Sequence, residues 1–437
     1  MATERESLLE RLNRPVDPAG IAAFRVAFGA LMLFAVVRFV ARGWVGELYL
    51  EPSFHFTYYG FDWVRPLPVW GMGALFALMG LSAIGIMFGA FTRASALVFF
   101  LTFGYAELID KSTYLNHYYL VSLLALLLAL VPSSASSPVR AWAYLLFRIQ
   151  VGLVYFYAGF AKLNSDWLFE AQPLRTWLQV YRDLPLIGSL LGQTPTAFAM
   201  SWAGAAFDLL IVPLLLCKRS RRLAYAAAVA FHVSIWLLFP VGVFSWVMLV
   251  SATVFFDPSW PRRWLKKSSI PSLSGAGAAL SRPAAALAAA YVALQVLVPL
   301  RFVAYPGAVN WTEEAFRFAW RVMLIEKSGS VEYRVVTDRG QTLVLPRAEL
   351  TPLQYKMMST QPDMIHEYAL HLAARFRAAG HADVRVYADA FASLNGRPGQ
   401  RLIDPGFDLA SARRSLLPQP FIVPLAAPGN SSLASAR

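Results

Sequence analysis

Cysteine is nearly absent from the chain. Cys217 is the single cysteine among 437 residues. One cysteine excludes an intrachain disulfide, a CxxC redox pair and a zinc site built from four cysteines. The six histidines are scattered without an HExxH motif, and GxSxG, GxGxxG and Walker sequences are also missing. The sequence therefore predicts no metal site and offers none of the common hydrolase or nucleotide-binding motifs.

Charged residues are scarce as well, at 15% of the chain, whereas 57% of the residues are hydrophobic. Soluble domains are about 25% charged, so this balance indicates a membrane protein. The apolar runs approach the ~20 residues that a spanning helix needs, and they lack the alternation of transmembrane strands. We predict nine helical spans, near 20–40, 70–91, 94–109, 117–131, 141–161, 200–217, 223–239, 241–256 and 284–303.

Acidic residues are fewer than basic ones, 26 against 39, which gives a net charge of +13. The basic residues cluster in short, even-numbered loops between the apolar runs, most densely at 218–222 and 262–267. The positive-inside rule places such loops in the cytoplasm. We therefore predict a cytoplasmic N-terminus and an outer face for the odd-numbered loops. Orientation in a membrane explains the charge, so we expect no nucleic-acid partner.

The composition changes along the chain and predicts five regions. A Ser/Gly/Pro-rich linker separates the helical part from a last spanning helix, and an odd number of crossings leaves the C-terminal domain outside. We expect a polytopic α-helical membrane protein with a C-terminal extracytoplasmic β-rich α+β domain. The regions are a membrane domain with the catalytic site at 1–266, a linker at 267–283, the last membrane helix at 284–303, the outer domain at 304–417 and a loose tail at 418–437.

The outer domain contains local patterns of both kinds. Residues 331–346 alternate in polarity around Asp338-Arg339-Gly340, which predicts a β-hairpin. Residues 352–377 have the apolar spacing of one amphipathic helix, and 383–391 alternate again as a strand.

A polar stripe runs along the fifth predicted span. Arg148, Tyr155 and Lys162 are seven residues apart, so they return to nearly the same helix face, and Gly152 and Gly159 lie beside it. Such a stripe faces other helices rather than lipid. Two interpretations of Lys162 remain open. It snorkels to the interface from a helix end, or it faces a dry cavity where a neutral amine acts as a general base.

Four further polar residues lie in or beside the spans. Asn116 is placed to cap the fourth helix, and His117 then lies in its first turn. His117 is either an interfacial histidine among tyrosines or a catalytic group. Asp208 and His232 lie within the sixth and seventh spans, where ionisable groups are costly and are often functional. For Asp208 we favour a buried hydrogen-bonded pair that ties helices together, and for His232 both interpretations stand.

Several longer motifs occur in a fixed order. They are RPLP at 65–68, DKSTYLNHYYL at 110–120, YFYAGFAKLNSDW at 155–167, FHVSIWLLFPVGVFSWVML at 231–249, DPSWPRRW at 257–264, NWTEEAFRFAWRVM at 310–323, PDMIHEYA at 362–369 and LNGRPGQRLIDP at 394–405. Through them the chain resembles the vitamin K-dependent gamma-carboxylase family, including bacterial relatives with the horizontally transferred transmembrane domain, from about residue 17 to 412.

The resemblance implies roles for individual residues. Lys162 matches the family's catalytic base, and His117 matches the histidine that supports the reaction at the quinone. Asn116, Tyr155 and His232 are then expected beside the quinone. The residues expected on the glutamate-substrate side are Trp311, Trp320, Arg397, Arg401 and Asp404.

The resemblance also implies the chemistry. The expected enzyme is a carbon–carbon lyase of the carboxylase type, which uses vitamin K hydroquinone, O2 and CO2. Oxygenation of the quinone to its epoxide generates a base that removes a proton from a glutamate γ-carbon, and the carbanion takes up CO2. The implied partners are membrane lipid, a glutamate-containing peptide or protein and a separate quinone reductase, because the chain has no dithiol of its own. A bacterial inner membrane is the expected location.

The chain departs from the family pattern at five positions. Family tyrosines are replaced by Phe316 and Phe318, a histidine by Ile325, an arginine by Met357, and an assisting lysine by Ala161. Most of these positions belong to the glutamate side. Two alternatives to a carboxylase therefore remain, a quinone epoxidase that never carboxylates a peptide and a non-catalytic lipid- or quinone-binding membrane protein.

Overall fold

Helices fill the N-terminal part of the chain. The computed structural model describes residues 7–131, 138–265 and 279–426. Within these ranges one helix occupies each of the nine predicted spans. They are α1 (Ala19–Ala41), α2 (Val69–Phe88), α3 (Thr92–Ile109), α4 (Asn116–Leu130), α5 (Ala141–Ala161), α6 (Thr194–Leu216), α7 (Arg221–Leu238), α8 (Phe244–Ala252) and α9 (Arg282–Leu300).

Six of these helices, α1, α2, α3, α5, α6 and α9, are long and apolar enough to cross a membrane, counting the described residues alone. The apolar helices α4 and α8 are shorter, and α7 begins with Arg221 and Arg222. The protein is thus a polytopic helical membrane protein, as predicted, while the number of nine crossings stays a prediction.

Shorter elements connect these helices. Pro15–Val16 pairs antiparallel with Val139–Arg140, which joins the chain ahead of α1 to the start of α5. The short helices are Leu8–Leu12, Ser165–Phe169, Leu174–Gln179, Gly188–Leu191, Arg262–Leu265 and Val309–Thr312.

The first two membrane helices show how the sequence sets a helix end. α2 stops at Gly89, whose φ of 79° is left-handed and suits glycine best. The last turn leaves carbonyl groups without helical donors. The buried Arg25 of α1 donates to the carbonyls of Ile86 and Met87, the latter at 3.0 Å. One arginine inside the bundle therefore caps a neighbouring helix.

The C-terminal part forms a four-stranded antiparallel sheet. Its strands are β1 (Lys327–Thr337), β2 (Gly340–Val344), β3 (Arg385–Leu394) and β4 (Gln400–Arg401), in the order β2-β1-β3-β4. Thr337 pairs with Gly340 across the two residues Asp338 and Arg339, so the predicted hairpin is confirmed.

The predicted single helix over 352–377 is wrong, because two helices occupy this stretch. α10 spans Pro352–Met358 and α11 spans Pro362–Ala378. Pro362 begins α11, and Gln361 before it is extended, with φ of −119° and ψ of 109°. A residue before proline is disfavoured in the helical region, so the chain breaks there although the apolar spacing continues.

One face of the sheet packs on α11. Val331, Tyr333 and Val335 alternate with exposed residues along β1 and are buried against the helix side of the domain. The Tyr333 hydroxyl donates to the carbonyl oxygen of Ile365 at 2.8 Å. The alternating side chains give the sheet one apolar face, and this face and α11 together form the core of the C-terminal domain.

The tail after residue 417 is not loose where the structure describes it. Phe421 is fully buried, Ile422 bridges to Ile403, and the Trp311 indole donates to the carbonyl of Val423 at 2.7 Å. Burial of the apolar Phe421 side chain holds the tail against the domain, and the Pro/Ala-rich composition did not indicate this. Residues 427–437, and residues 267–278 of the predicted linker, lie outside the described residues.

A charged cluster docks the C-terminal domain on the loop between α3 and α4. Lys111 pairs with Asp363 at 2.9 Å and with Glu367 at 2.8 Å, and Arg317 pairs with Asp363 at 2.8 Å. Burial alone would raise the pKa of Asp363, but the charges of Arg317 and Lys111 outweigh it and lower that pKa. The docking holds the start of α4, and with it His117, against the C-terminal domain.

Candidate functional site

A cavity lies among α5, α6, α7 and α8. It contains ≈ 640 Å³ of empty space, and most of its walls are apolar or aromatic. Four polar side chains face it: Tyr155, Lys162, Asp208 and His232. Small-molecule sites carry a few polar groups on mostly apolar walls, which is the character of this cavity.

The polar stripe predicted on α5 faces the neighbouring helices. Arg148 donates to the carbonyls of Val254 and Phe256 at 2.8 and 3.0 Å, and Lys162 ends the helix at the cavity. A Cβ at Gly159 would lie 2.8 Å from the Leu209 Cγ and 3.0 Å from its backbone nitrogen. The missing side chain therefore lets α5 and α6 approach closely enough for a carboxylate of α6 to reach Lys162.

Lys162 does not snorkel. It is 5% exposed, and its Nζ donates to Asp208 Oδ2 at 2.8 Å, to the Ala158 carbonyl at 3.3 Å and to the Val322 carbonyl at 3.5 Å. The ammonium also lies 5.0 Å from the centre of the Trp167 ring. The helix-tying pair expected for Asp208 and the cavity-facing amine expected for Lys162 are thus one buried ion pair. The sequence argument considered burial alone and left out this counter-charge.

His232 and Tyr155 form the second polar pair of the cavity. The Tyr155 hydroxyl lies 2.9 Å from His232 Nε2, and His232 is 1% exposed. Assigning Tyr155 as the donor places the imidazole proton on Nδ1, since a neutral ring has one donor nitrogen and one acceptor. That Nδ1 is buried and has no hydrogen-bond partner among the described residues. The Tyr155–His232 pair thus places one phenol and one imidazole in an otherwise aromatic and apolar wall.

His117 lies in a second, wider cavity. This cavity contains ≈ 1430 Å³ of empty space and shares the wall residues Phe239, Phe244, Val322 and Met323 with the first. The ring of Phe244 lies 5.8 Å from the imidazoles of both His117 and His232. The structure therefore places Lys162 and His117 in adjoining cavities separated by one layer of side chains.

Asn116 does not cap α4 as predicted. It is the first helical residue, after Leu115, and its side chain makes no capping bond. Its Oδ1 accepts from the Tyr114 hydroxyl at 3.0 Å, and its Nδ2 donates to the Arg321 carbonyl at 3.1 Å. Because Asn116 lies one position too late to cap, its amide ties α4 to the C-terminal segment instead.

The two tryptophans predicted on the substrate side lie in cores, not in the cavities. Trp311 is fully buried in the C-terminal domain, where the Lys327 ammonium lies 5.3 Å from the centre of its ring. Trp320 is fully buried as well and stacks on Tyr119 with ring centres 4.9 Å apart. Packing of these large rings explains their positions.

The three charged residues predicted on the substrate side are engaged elsewhere too. Arg397 makes a two-pronged ion pair with Asp166, at 2.8 and 2.5 Å, which joins the segment after α5 to the outer domain. Arg401 pairs with Asp389 at 2.9 Å on the surface, and Asp404 accepts from the Gly406 amide in a turn. None of the three lines either cavity.

The sequence argument missed Trp167 and Val322 beside Lys162, and Arg38 and Arg42 in the His117 cavity. Only the two arginines left a signal in the sequence, a four-residue spacing at the C-terminal end of an apolar run. Over the described ranges, no group of three or more His, Cys, Asp or Glu residues is placed to hold a metal ion.

Comparison with known families divides the chain in the same way as the fold. Residues 13–260 match the family described as HTTM domain, and residues 281–427 match the family described as vitamin K-dependent gamma-carboxylase, lumenal domain. The first range holds the helices α1 to α8 and the second holds α9 and the sheet domain. No solved structure matches the chain at a significant level.

Proposed function

The chain belongs to the vitamin K-dependent gamma-carboxylase family, and from this membership we propose that it is a membrane enzyme that carboxylates glutamate side chains while a reduced naphthoquinone is converted to its epoxide. The observation that carries the proposal is the Lys162–Asp208 pair, which lies inside a largely apolar cavity rather than at the membrane surface. A lysine that only anchored a helix end would snorkel to the interface.

The residues of the first cavity suit the quinone. The rings of Phe231, Phe239 and Phe244 offer flat apolar contacts to a fused aromatic ring, and the imidazole of His232 lies in the same wall. When bound, the reduced naphthoquinone supplies through its reaction with oxygen the strong base that a lysine amine cannot be.

Lys162 and Asp208 handle the proton. An ammonium cannot accept one, so the resting ion pair is not yet a base. Transfer of the Nζ proton to Asp208 Oδ2, over 2.8 Å, leaves a neutral amine whose lone pair can accept a proton from a bound hydroxyl. The apolar walls exclude water, so the transferred proton stays within the pair.

The test uses the purified chain in detergent. It receives vitamin K hydroquinone, labelled bicarbonate and a glutamate-containing peptide, and both epoxide and fixed label are measured. We expect both products from wild type and a loss of about 100-fold or more in both from Lys162→Ala, the usual effect of removing a general base. Lys218→Ala, an exposed lysine at the end of α6, is the matched control and should retain full activity.

The outcome separates the alternatives. Epoxide without fixed label would favour the epoxidase, which is supported by Phe316 and Phe318 at family tyrosine positions and by Arg397 being held by Asp166. If wild type and Lys162→Ala both form neither product, the remaining alternative is a non-catalytic quinone- or lipid-binding protein. Full epoxidation by Lys162→Ala would contradict the role given to Lys162.

We further propose an N-terminus in the cytoplasm and a C-terminal domain outside, in a bacterial inner membrane. The basic loops at 218–222 and 262–267 support this orientation, and so does the lumenal domain family that the C-terminal part matches. A separate quinone reductase belongs to the same proposal, since one cysteine cannot form a reducing dithiol.

A further inference from the structure

Two arginines and a histidine meet in the wider cavity. Arg38 and Arg42 lie one turn apart at the end of α1, and their guanidinium carbons are 5.2 and 5.3 Å from the centre of the Trp44 ring. His117 reaches the same cavity from α4 and is only 8% exposed. Stacking on Trp44 holds both guanidiniums at the cavity wall.

These three groups have no acceptor or counter-charge within the chain as described. The Arg38 Nε is buried without a hydrogen-bond partner, and among the described residues no hydrogen bond or ion pair joins the side chains of Arg38, Arg42 or His117 to another group. Glu107 shares a smaller cavity with Arg38 but forms no ion pair with it. Arg42 is exposed and Arg38 is half-buried, so neither guanidinium requires a partner, but two unpaired guanidiniums held at one cavity wall form a fork that an anion from outside the chain can bind.

Three buried lysines among the described residues show how a charge inside this protein is compensated. Lys162, Lys111 and Lys327 each form an ion pair with a carboxylate within 3.1 Å. The charged cavity beside the docking cluster is lined by cations too, but there Arg317 and Arg414 already pair with Asp363 and Asp62. Among the described residues, the Arg38 cavity thus brings together two guanidiniums and an imidazole with no carboxylate in its lining.

The position of the cavity limits which ligands could bind in it. Its wall of Phe239, Phe244, Val322 and Met323 is also the wall of the Lys162 cavity. Val322 and Met323 come from the segment that precedes β1, so the cavity is enclosed by membrane helices and by the C-terminal part together. A ligand bound there would lie next to the reaction chamber and beneath the outer domain.

We propose that Arg38 and Arg42, with His117, bind the γ-carboxylate of the glutamate substrate. This assignment rests on the proposed carboxylase function. A guanidinium fork matches a carboxylate in shape and charge. Loss of a proton beside a carboxylate spreads the new charge onto its oxygens, where fixed cations stabilise it most. The product has two carboxylates on one carbon, and the site offers two guanidiniums.

The experiment measures binding without turnover. The full chain, in nanodiscs of zwitterionic phosphatidylcholine and without quinone, is titrated with the blocked peptide Ala-Glu-Ala and with Ala-Gln-Ala. We expect the glutamate peptide to bind more tightly than the glutamine peptide. Arg38→Gln and Arg42→Gln should each weaken glutamate-peptide binding by about tenfold or more, with partial recovery in Arg38→Lys. Arg65→Gln changes an exposed arginine between α1 and α2 that lines neither cavity, and this variant should bind as wild type.

Thermal unfolding of each variant without peptide checks that the fold is retained, and it should match wild type. Equal binding of the glutamate peptide by wild type and both glutamine variants would overturn the proposal. If nanodiscs with phosphatidylglycerol stabilise wild type but neither variant, and peptide binding is unchanged, the anion is a lipid phosphate and the proposal is wrong.

Activity distinguishes this proposal from the function on which it rests. If Arg38→Gln carboxylates the peptide with an unchanged KM, the carboxylase function stands and the proposed binding site is refuted. If glutamate-peptide binding depends on the arginines but the protein fixes no label, the binding site stands and the carboxylase function is refuted.

Discussion

Replacing Asp208 by asparagine tests the central pair. The Lys162 and Asp208 side chains are 6% and 7% exposed, and their charged atoms are 2.8 Å apart. Removing one member of a buried pair costs about 3–5 kcal/mol, because the other charge is left without compensation. For a chain of 437 residues, 1 kcal/mol corresponds to about 1 °C of melting temperature. We therefore expect Asp208→Asn to lower the melting temperature by about 3–5 °C.

A double-mutant cycle isolates the pairwise part of this effect. Lys162→Met should cost a similar amount, since it leaves the Asp208 carboxylate unpaired. Lys162→Met combined with Asp208→Leu should cost much less than the sum, because apolar replacement of a buried pair is often neutral or stabilising. Asp183→Asn is the matched control, since that side chain is 88% exposed in its pair with Arg182 and should produce no measurable change.

The assay is thermal unfolding of the detergent-solubilised protein, followed by tryptophan fluorescence, with epoxide and label measured on the same samples. Asp208→Asn should lose activity as well as stability, because the asparagine amide cannot take the Nζ proton. Additive single and double effects would refute the energetic coupling. An Asp208→Asn variant that is destabilised but fully active would refute its role as proton acceptor.

Two further predictions concern the loop after α3 and the orientation. Burial raises the pKa of Asp110 to about 6, against the opposing hydrogen bonds from Ser112 and Gln354. A raised carboxyl pKa means that stability is greatest below the ordinary value and falls as pH rises from about 4 to about 6. The shift corresponds to about 3 kcal/mol, so the melting temperature of wild type should fall by about 3 °C between these pH values. The melting temperature of Asp110→Asn should not show this fall, and equal pH slopes for the two proteins would contradict the prediction. For orientation, the exposed Cys217 should not react with a membrane-impermeant maleimide in intact cells and should react after permeabilisation. Arg339→Cys on a Cys217→Ser background should react in intact cells. The reverse pattern would show that the predicted orientation is wrong.

The membrane helices were predictable because their signal is local. Each lies within one apolar run, and the nine predicted positions differ from the helix bounds by a few residues, as at α6, which begins at Thr194 instead of 200. The hairpin at Asp338–Arg339 was predictable for the same reason. The break before Pro362 was missed because the apolar spacing runs across it, and a proline overrides that spacing through its own backbone geometry.

The candidate site was predictable only in part. Lys162, His117, His232 and Tyr155 were singled out from spacing and from the motifs, and each faces one of two adjoining cavities. Their partners were not predictable in detail. Asp208 was recognised as a costly intramembrane carboxylate, yet its pairing with Lys162 crosses 46 residues of chain.

By itself the sequence determined a membrane protein with many helices, a basic and an acidic side, a small outer domain and a short set of polar residues inside the spans. Hydrophobicity, charge and spacing are properties of short stretches, so they can be taken directly from the order of residues. The tertiary structure alone decided that Lys162 is neutralised by Asp208, that Arg397 is held by Asp166, and that Arg38 and His117 line one cavity with no carboxylate among its described lining residues. Ion pairs and cavities depend on which helices approach one another and how closely, and that geometry arises only when distant segments pack together.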